Sequence, residues 1–185
     1  MNDREENQII KRICQGHRHE YALLVDRYKT PLLNLAYRMT GNYDDAEDLA
    51  QETFVRAYEK LSHFDRNRSF FTWLYTIGLN LIRNHLKKAG RTVAADPLIP
   101  AHGEQQGDAE FKDPERSVMN GQDMDRLHMA LLQLSEDLRE VLILRFQQGL
   151  SFSDIAEVAG ISQSAAKMRV YRGLERLREL MKDKG

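Results

Sequence analysis

Four apolar side chains, Phe70, Leu74, Ile77 and Leu81, recur at three- and four-residue intervals and constrain this 185-residue chain more than any other feature. That spacing puts them on one stripe of an α-helix, and the stripe must face a core. The surrounding stretch, Asp44–Arg91, holds an acidic amphipathic helix, a short polar loop and then this second helix, which begins aromatic and ends basic. About a third of a turn round from the stripe lie Thr76, Asn80, Arg83, Asn84 and Lys87, all able to bond phosphates or base edges. Phe64, Asp65, Arg66, Asn67 and Arg68 form the loop just before it. Aromatic rings beside a basic, amide-bearing face suit single-stranded nucleic acid, because bases stack on rings while cations follow the backbone.

The formal charge of -1 argues against a uniformly basic nucleic-acid binder. The average hides segregation, with bases at the ends of two helical segments and acids between them. Charged residues at 30% and hydrophobic residues at 42% allow small helical cores. Cys14 is the only cysteine, which excludes an internal disulfide and fits a reducing compartment. The opening MNDREENQIIKR has no apolar centre and is not a signal peptide, and no apolar run approaches the ~20 residues that span a bilayer. A cytoplasmic location is expected.

Periodicity predicts a short helix over Gln8–Gln15, stopped by Gly16, and a longer one over Tyr21–Thr40 with Leu24, Tyr28, Leu32, Leu35 and Met39 inward. Pro31 lies inside the second pattern, where it kinks or divides the helix. Asn42 and Asp44 offer cap oxygens to the acidic helix, whose buried side is Leu49, Phe54 or Val55, Tyr58 and Leu61. Four helices are expected to form one bundle over residues 1–91. From 92 to 124 the periodicity vanishes among Pro, Gly and acidic residues, the composition of a flexible linker.

Helical spacing returns over 125–185. Ser135-Glu136-Asp137 offers an N-cap and acidic first turn to a helix burying Leu138, Val141, Leu142 and Phe146. Ser151 with Asp154 makes a capping-box start for a short helix, and Gly160-Ile161-Ser162 makes a tight turn into the last one. Small Ala156, then Gly160, Ile161, Ala166 and Val170, form the pattern of a helix-turn-helix. Such a fold carries its second helix into the major groove, where Lys and Arg reach guanine or phosphate.

Asp44–Tyr58 (DDAEDLAQETFVRAY), followed from Phe64 by F-x-x-x-x-x-F-F-T-W-L-Y-x-I-x-x-N, resembles region 2 of a bacterial sigma-70-family factor of the extracytoplasmic-function (group 4) type. The segment from Leu134, LSEDLREVLILRFxxGLSFSDIAExxGIS, resembles region 4 of the same family. The resemblance implies an all-α chain of two small helical domains, a region 2 four-helix bundle and a region 4 helix-turn-helix; the flexible acidic linker between them predicts no fixed mutual orientation of the halves in the free chain. It implies that Phe64, Asp65, Arg66, Asn67 and Arg68 form the pocket for a base flipped from the promoter -10 element. Asn80, Arg83, Asn84 and Lys87 would then hold flanking bases and phosphates. Ser164, Lys167, Met168, Tyr171, Arg172 and Arg176 would face the -35 element. Asp48, Gln51, Glu52 and Phe54 would dock on the clamp coiled coil of core RNA polymerase, whose flap is a second contact. An anti-sigma factor, commonly membrane-anchored, is the expected regulator.

Plainer roles compete at several positions. Trp73 at helical spacing is expected in the core, and Phe70 and Phe71 are expected to divide between inside and outside. Arg176 and Arg178 have i,i+3 partners in Glu179 and Glu175 and could form a solvated face. Asp44, Asp45, Glu47, Asp48 and Glu52 are expected to be solvated rather than metal-bound, and His17 and His19 lack further ligands at zinc spacing. No nucleophile–base set or phosphate-binding glycine loop occurs, so neither catalysis, a cofactor nor a small-molecule substrate is expected. Ser135 stands where the family usually has Pro, and Ala165, Ala166 and Met168 where Thr, Val and Ser are commoner, which bears on the -35 preference. The alternative is a helix-turn-helix regulator that binds duplex DNA without polymerase. A third is a sigma mimic that occupies an anti-sigma factor, against which the intact basic faces argue.

Overall fold

Helix boundaries follow the caps. In the computed structural model, which describes residues 3–90 and 121–182, α1 (Asp3–Cys14) and a 3-10 turn (Arg18–Glu20) lead into α2 (Tyr21–Thr40). Pro31 does not divide α2, which stops where Gly41 takes a left-handed conformation at φ 72°. Asn42 Oδ1 accepts from the Asp45 amide at 3.1 Å and starts α3 (Tyr43–Lys60). A 3-10 turn (Leu61–His63) and a polar loop precede α4 (Phe70–Lys88), capped by Ser69, whose hydroxyl accepts from the Thr72 amide at 3.4 Å. The second half comprises α5 (Gly121–Leu132), α6 (Glu136–Leu142), a π turn (Ile143–Gln147), α7 (Phe152–Ala159) and α8 (Gln163–Lys182). No strand occurs among the described residues. The linker expected over 92–124 lies mostly outside them, and its end is instead the first turn of α5.

Packing in the first half follows the stripes. Leu24, Leu32, Leu35 and Met39 of α2 meet Ala46, Leu49, Ala50 and Ala57 of α3 and Phe70, Leu74, Leu79 and Ile82 of α4. Helix α1 is longer than the pattern suggested, because buried Glu6 ties its first turns to α2. Its carboxylate accepts from Tyr28 Oη and pairs with Arg27 Nε at 2.9 Å.

Three expectations about single residues are corrected, for Tyr58, Ser135 and Phe146, and the choice between Phe54 and Val55 is settled. Tyr58 is exposed, its ring edge-on to Tyr21 with centroids 4.9 Å apart. Val55 is exposed, and Phe54 takes the inward position. Ser135 makes no side-chain cap: its hydroxyl is buried without a partner, and only its backbone carbonyl receives the Arg139 amide. Phe146 is 40% exposed, while Ile143 and Leu144 are buried. The π turn inserts an extra residue into the helical register, closed by Gln148 N–H to Ile143 O at 3.2 Å, and so rotates Phe146 off the stripe.

The halves also have a defined mutual orientation, contrary to expectation, and share one connected core. Arg139 of α6 is 3% exposed, and its guanidinium donates to Met39 O at the end of α2, to Leu132 O at the end of α5 (3.2 Å) and to Leu134 O (3.0 Å). One buried cation thus satisfies carbonyls at the C-terminal ends of helices from both halves. Beside it, Tyr37 of α2 stacks on His128 of α5, with ring centroids 4.7 Å apart and 13° between planes. Tyr75 Oη of α4 donates to Gln148 Oε1 at 3.0 Å.

Replacing Arg139 by Met should destabilise the chain by about 2–4 kcal/mol in urea unfolding, since three carbonyls lose their donor. Burial, then Arg38 and Arg139, lower the His128 pKa from 6.5, with Asp125 opposing. The neutral ring is therefore the stabilising form, complete above pH 6.5 and lost as pH falls through the lowered value. Acidification from about pH 7 to about pH 5 should lower the Tm of the parent more than that of His128→Phe.

Candidate nucleic-acid interface

The loop between α3 and α4 is built on a floor of aromatic rings. Phe64 is buried, edge-on to Phe70 with centroids 5.6 Å apart and tilted against Trp73 at 5.0 Å. Its ring supports the loop instead of offering a face to a base, which corrects its expected place in the pocket. Phe70 turns inward; Phe71 and Trp73 are half-buried, and Phe71 stacks on Tyr75 at 4.1 Å. Above this floor Asp65, Arg66, Asn67 and Arg68 are exposed. Asp65 Oδ1 accepts from the Asn67 amide and from Asn67 Nδ2, both at 3.0 Å, and the Arg68 amide donates to Asp65 O. That Asx turn fixes the loop from within. Asn7 of α1 fixes it from outside, its Nδ2 donating to Arg66 O at 2.9 Å.

Along α4, Asn80, Asn84 and Lys87 are exposed on one face. Thr76, in the same expected set, turns its hydroxyl to Thr72 O at 2.8 Å. Arg83 lies among the exposed residues but is already engaged. Its Nη2 and Nε donate to the Glu140 carboxylate of α6 at 2.6 and 2.9 Å, Nη2 reaches Ala159 O at 3.3 Å, and Nη1 reaches Asn80 Oδ1 at 3.4 Å. Glu140 is 2% exposed, and burial raises its pKa despite the opposing pull of Arg83. Arg68 pairs with Glu157 of α7 at 3.1 Å. Arg83, Asn84 and Lys87 also line a cleft of about 620 Å³ against Glu136, Asp137 and Arg169.

In the second half, Ser151 and Asp154 form the expected capping box and Gly160 turns the chain at φ 70° into α8. Ser162 Oγ accepts from the Ala165 amide at 3.2 Å and sits 3.0 Å from Ser164 Oγ. At the start of α8, Ser164 and Met168 are exposed and Lys167, Tyr171 and Arg172 half-buried. The α8 core is Ala166, Val170 and Gly173, with Leu174, Leu177 and Met181 only half-buried. Arg176 is exposed and pairs with Glu179 at 2.8 Å, the solvated arrangement weighed above. Arg169 pairs with Asp137 at 3.6 Å.

On α3, Asp48, Gln51 and Glu52 are exposed and line a groove with Val55 and His85. Phe54, expected with them, is 8% exposed and faces the core, so the apolar group beside these polar residues is Val55, 55% exposed. Among the described residues no group of three or more His, Cys, Asp or Glu side chains could hold a metal ion.

Sequence reasoning missed Arg139, Glu140, Glu157 and Asn7. Arg139 and Glu140 occupy the side of α6 opposite Leu138, Val141 and Leu142, which the helical pattern assigns to solvent. Only the neighbouring half makes it an interior.

The Sigma-70 region 2 family model matches residues 24–92, and the Sigma-70, region 4 model matches 124–177. RNA polymerase sigma-H factor of Pseudomonas aeruginosa is 34% identical over 179 residues, 95% of this chain and 93% of that protein. ECF RNA polymerase sigma factor SigW of Bacillus subtilis is 34% identical over 180 residues, covering 94% and 95%. CnrH, solved in complex with the cytosolic domain of CnrY, superposes with a TM-score of 0.72 at 25% identity, over 97% of this chain and 98% of CnrH. The sigma factor RpoE of Bartonella quintana, solved with the anti-sigma factor NepR, gives 0.65 at 28% identity over 88% and 97%. If the Asx turn shapes the loop, Asp65→Ala should leave Tm nearly unchanged yet speed amide hydrogen exchange at Asn67 and Arg68.

Proposed function

The chain belongs to the sigma-70 family, in its extracytoplasmic-function branch, and from that premise we propose how its residues direct core RNA polymerase to promoters. The first half, 1–91, captures the separated non-template strand of the -10 element. The Asp65–Arg68 loop takes a flipped base, and Asn80, Arg83, Asn84 and Lys87 hold its neighbours and phosphates. The second half, 125–185, sets α8 in the major groove of the -35 element through Ser164, Lys167, Met168, Tyr171 and Arg172. The carrying observation is that the exposed loop Asp65–Arg68 stands on an aromatic floor, with exposed Asn80, Asn84 and Lys87 further along α4.

Magnitudes explain why polymerase is required. Opening about ten base pairs costs about 14 kcal/mol at about 1.4 per step. Capturing two or three bases returns roughly 1–3 kcal/mol each, so the rest comes from the larger complex. Asp48, Gln51 and Glu52, with Val55 in place of Phe54, form the dock for the clamp coiled coil. No helix among the described residues is long and apolar enough to cross a membrane. The chain acts in the cytoplasm without catalysis of its own, and its regulator is an anti-sigma factor, membrane-anchored where the signal is external.

Run-off transcription from a promoter selected out of random DNA by the reconstituted holoenzyme tests the assignment. A transcript should require both core and this chain; binding to duplex alone with no transcript overturns it. Val55→Arg should weaken core binding about tenfold, about 1.4 kcal/mol, at unchanged Tm. Phe54→Ala should instead unfold the chain by about 3–5 kcal/mol. Arg172→Ala should cost about 1–3 kcal/mol, confined to one -35 position if Arg172 reads a base and uniform if it holds phosphate.

A further inference from the structure

The loop that takes the flipped base is tied to α1, an element that the proposed DNA contacts leave out. Asn7 Nδ2 donates to Arg66 O at 2.9 Å, across 59 positions of sequence. The turn that carries Asn7 is itself locked to the body of the first half. Buried Glu6 pairs with Arg27 Nε at 2.9 Å and accepts from Tyr28 Oη. The Tyr28 ring in turn lies tilted against Phe70 and Phe71, with centroids 5.7 and 5.9 Å apart. Asn7 thus stands on a fixed base and reaches a loop whose residues 65–68 are exposed. Resting on the assignment of Asp65–Arg68 to a -10 base, we propose that Asn7 is a positioning residue for base selection. It touches no DNA, and it sets how strictly the loop tells the preferred base from the others.

The bond matters to the loop more than to the fold. Helix α1 is already docked by Glu6, Ile9, Ile10 and Ile13, all buried. The Asn7–Arg66 bond lies at the surface, where water competes for both groups and the net gain in stability is small. Its effect on the loop is specific, because Arg66 O and the Asn67 amide belong to one planar peptide unit. Asp65 Oδ1 holds the N–H of that unit at 3.0 Å, and Asn7 holds its C=O. A peptide held at both ends is kept from turning over, so the Arg66 and Asn67 side chains that branch beside it keep one bearing. A site rejects a wrong partner by leaving polar groups unpaired, which requires that those groups stay where they are. Freed at its C=O, the same peptide turns and re-pairs with another base.

The test is run-off transcription by holoenzyme reconstituted with the full chain, on promoters carrying each base in turn at every -10 position. N7A and N7D should both narrow the ratio between the preferred base and the next best at one -10 position. The expected narrowing is about twofold to tenfold, the usual worth of one hydrogen bond. Ratios at the other -10 positions and at -35 should match the parent. N7D keeps the side chain's shape and removes only the donor, so it decides the matter if N7A folds poorly. Q8A, at the exposed neighbouring position, should leave every ratio as in the parent, and a narrowing equal to that of N7A counts against the inference. Amide hydrogen exchange at Asn67 should quicken in both Asn7 variants. A parent-like profile in both overturns the positioning role. An equal loss on every promoter, up to no transcript at all, also overturns it, since Asn7 then only supports the fold. Either result leaves the sigma assignment standing, whereas no transcript from the parent overturns that assignment and the inference with it.

Discussion

The arrangement of this chain depends on one buried guanidinium. Arg139 enters the seam between the halves and bonds carbonyls at the ends of α2 and α5, groups that a helix terminus leaves unpaired. A charge so deep is stable only while all its acceptors stay in place, so it specifies one approach of the halves. Tyr37 on His128 extends the same seam, and Leu132 packs against Gly41 where α2 ends.

Once α6 is wedged there, its opposite side cannot remain a solvent face. Glu140, the next residue, is carried onto α4 and meets Arg83. The helix is therefore buried nearly all round although its sequence is amphipathic. The π turn that follows moves Phe146 outward and brings Gln148 to Tyr75. The charges that hold the halves thus include Arg68 and Arg83, two of the residues that the proposed function assigns to nucleic acid.

Local chemistry was legible wherever its cause was local. The span of α2, the Asn42 and Ser162 caps, the Ser151–Asp154 capping box and the left-handed Gly160 depend on residues within one turn of each other. The exposure of the loop Asp65–Arg68 and of Asn80, Asn84 and Lys87 was legible because period and composition coincide there. Phe64, Phe54, Tyr58 and Ser135 were misjudged for the opposite reason. An aromatic or hydroxyl side chain at a helix edge has two environments within reach of a small rotation, and neighbours distant in sequence choose between them.

The amino-acid order alone determined eight helical segments and the helix-turn-helix, because helical period, capping and turn chemistry act over a few residues. Tertiary structure alone decided that Arg83 is paired, that Arg139 and Glu140 are interior, and that the two halves share a core. Those outcomes depend on contacts between residues 57 and 100 positions apart, and burial at that range belongs to the packed chain, not to any segment of it.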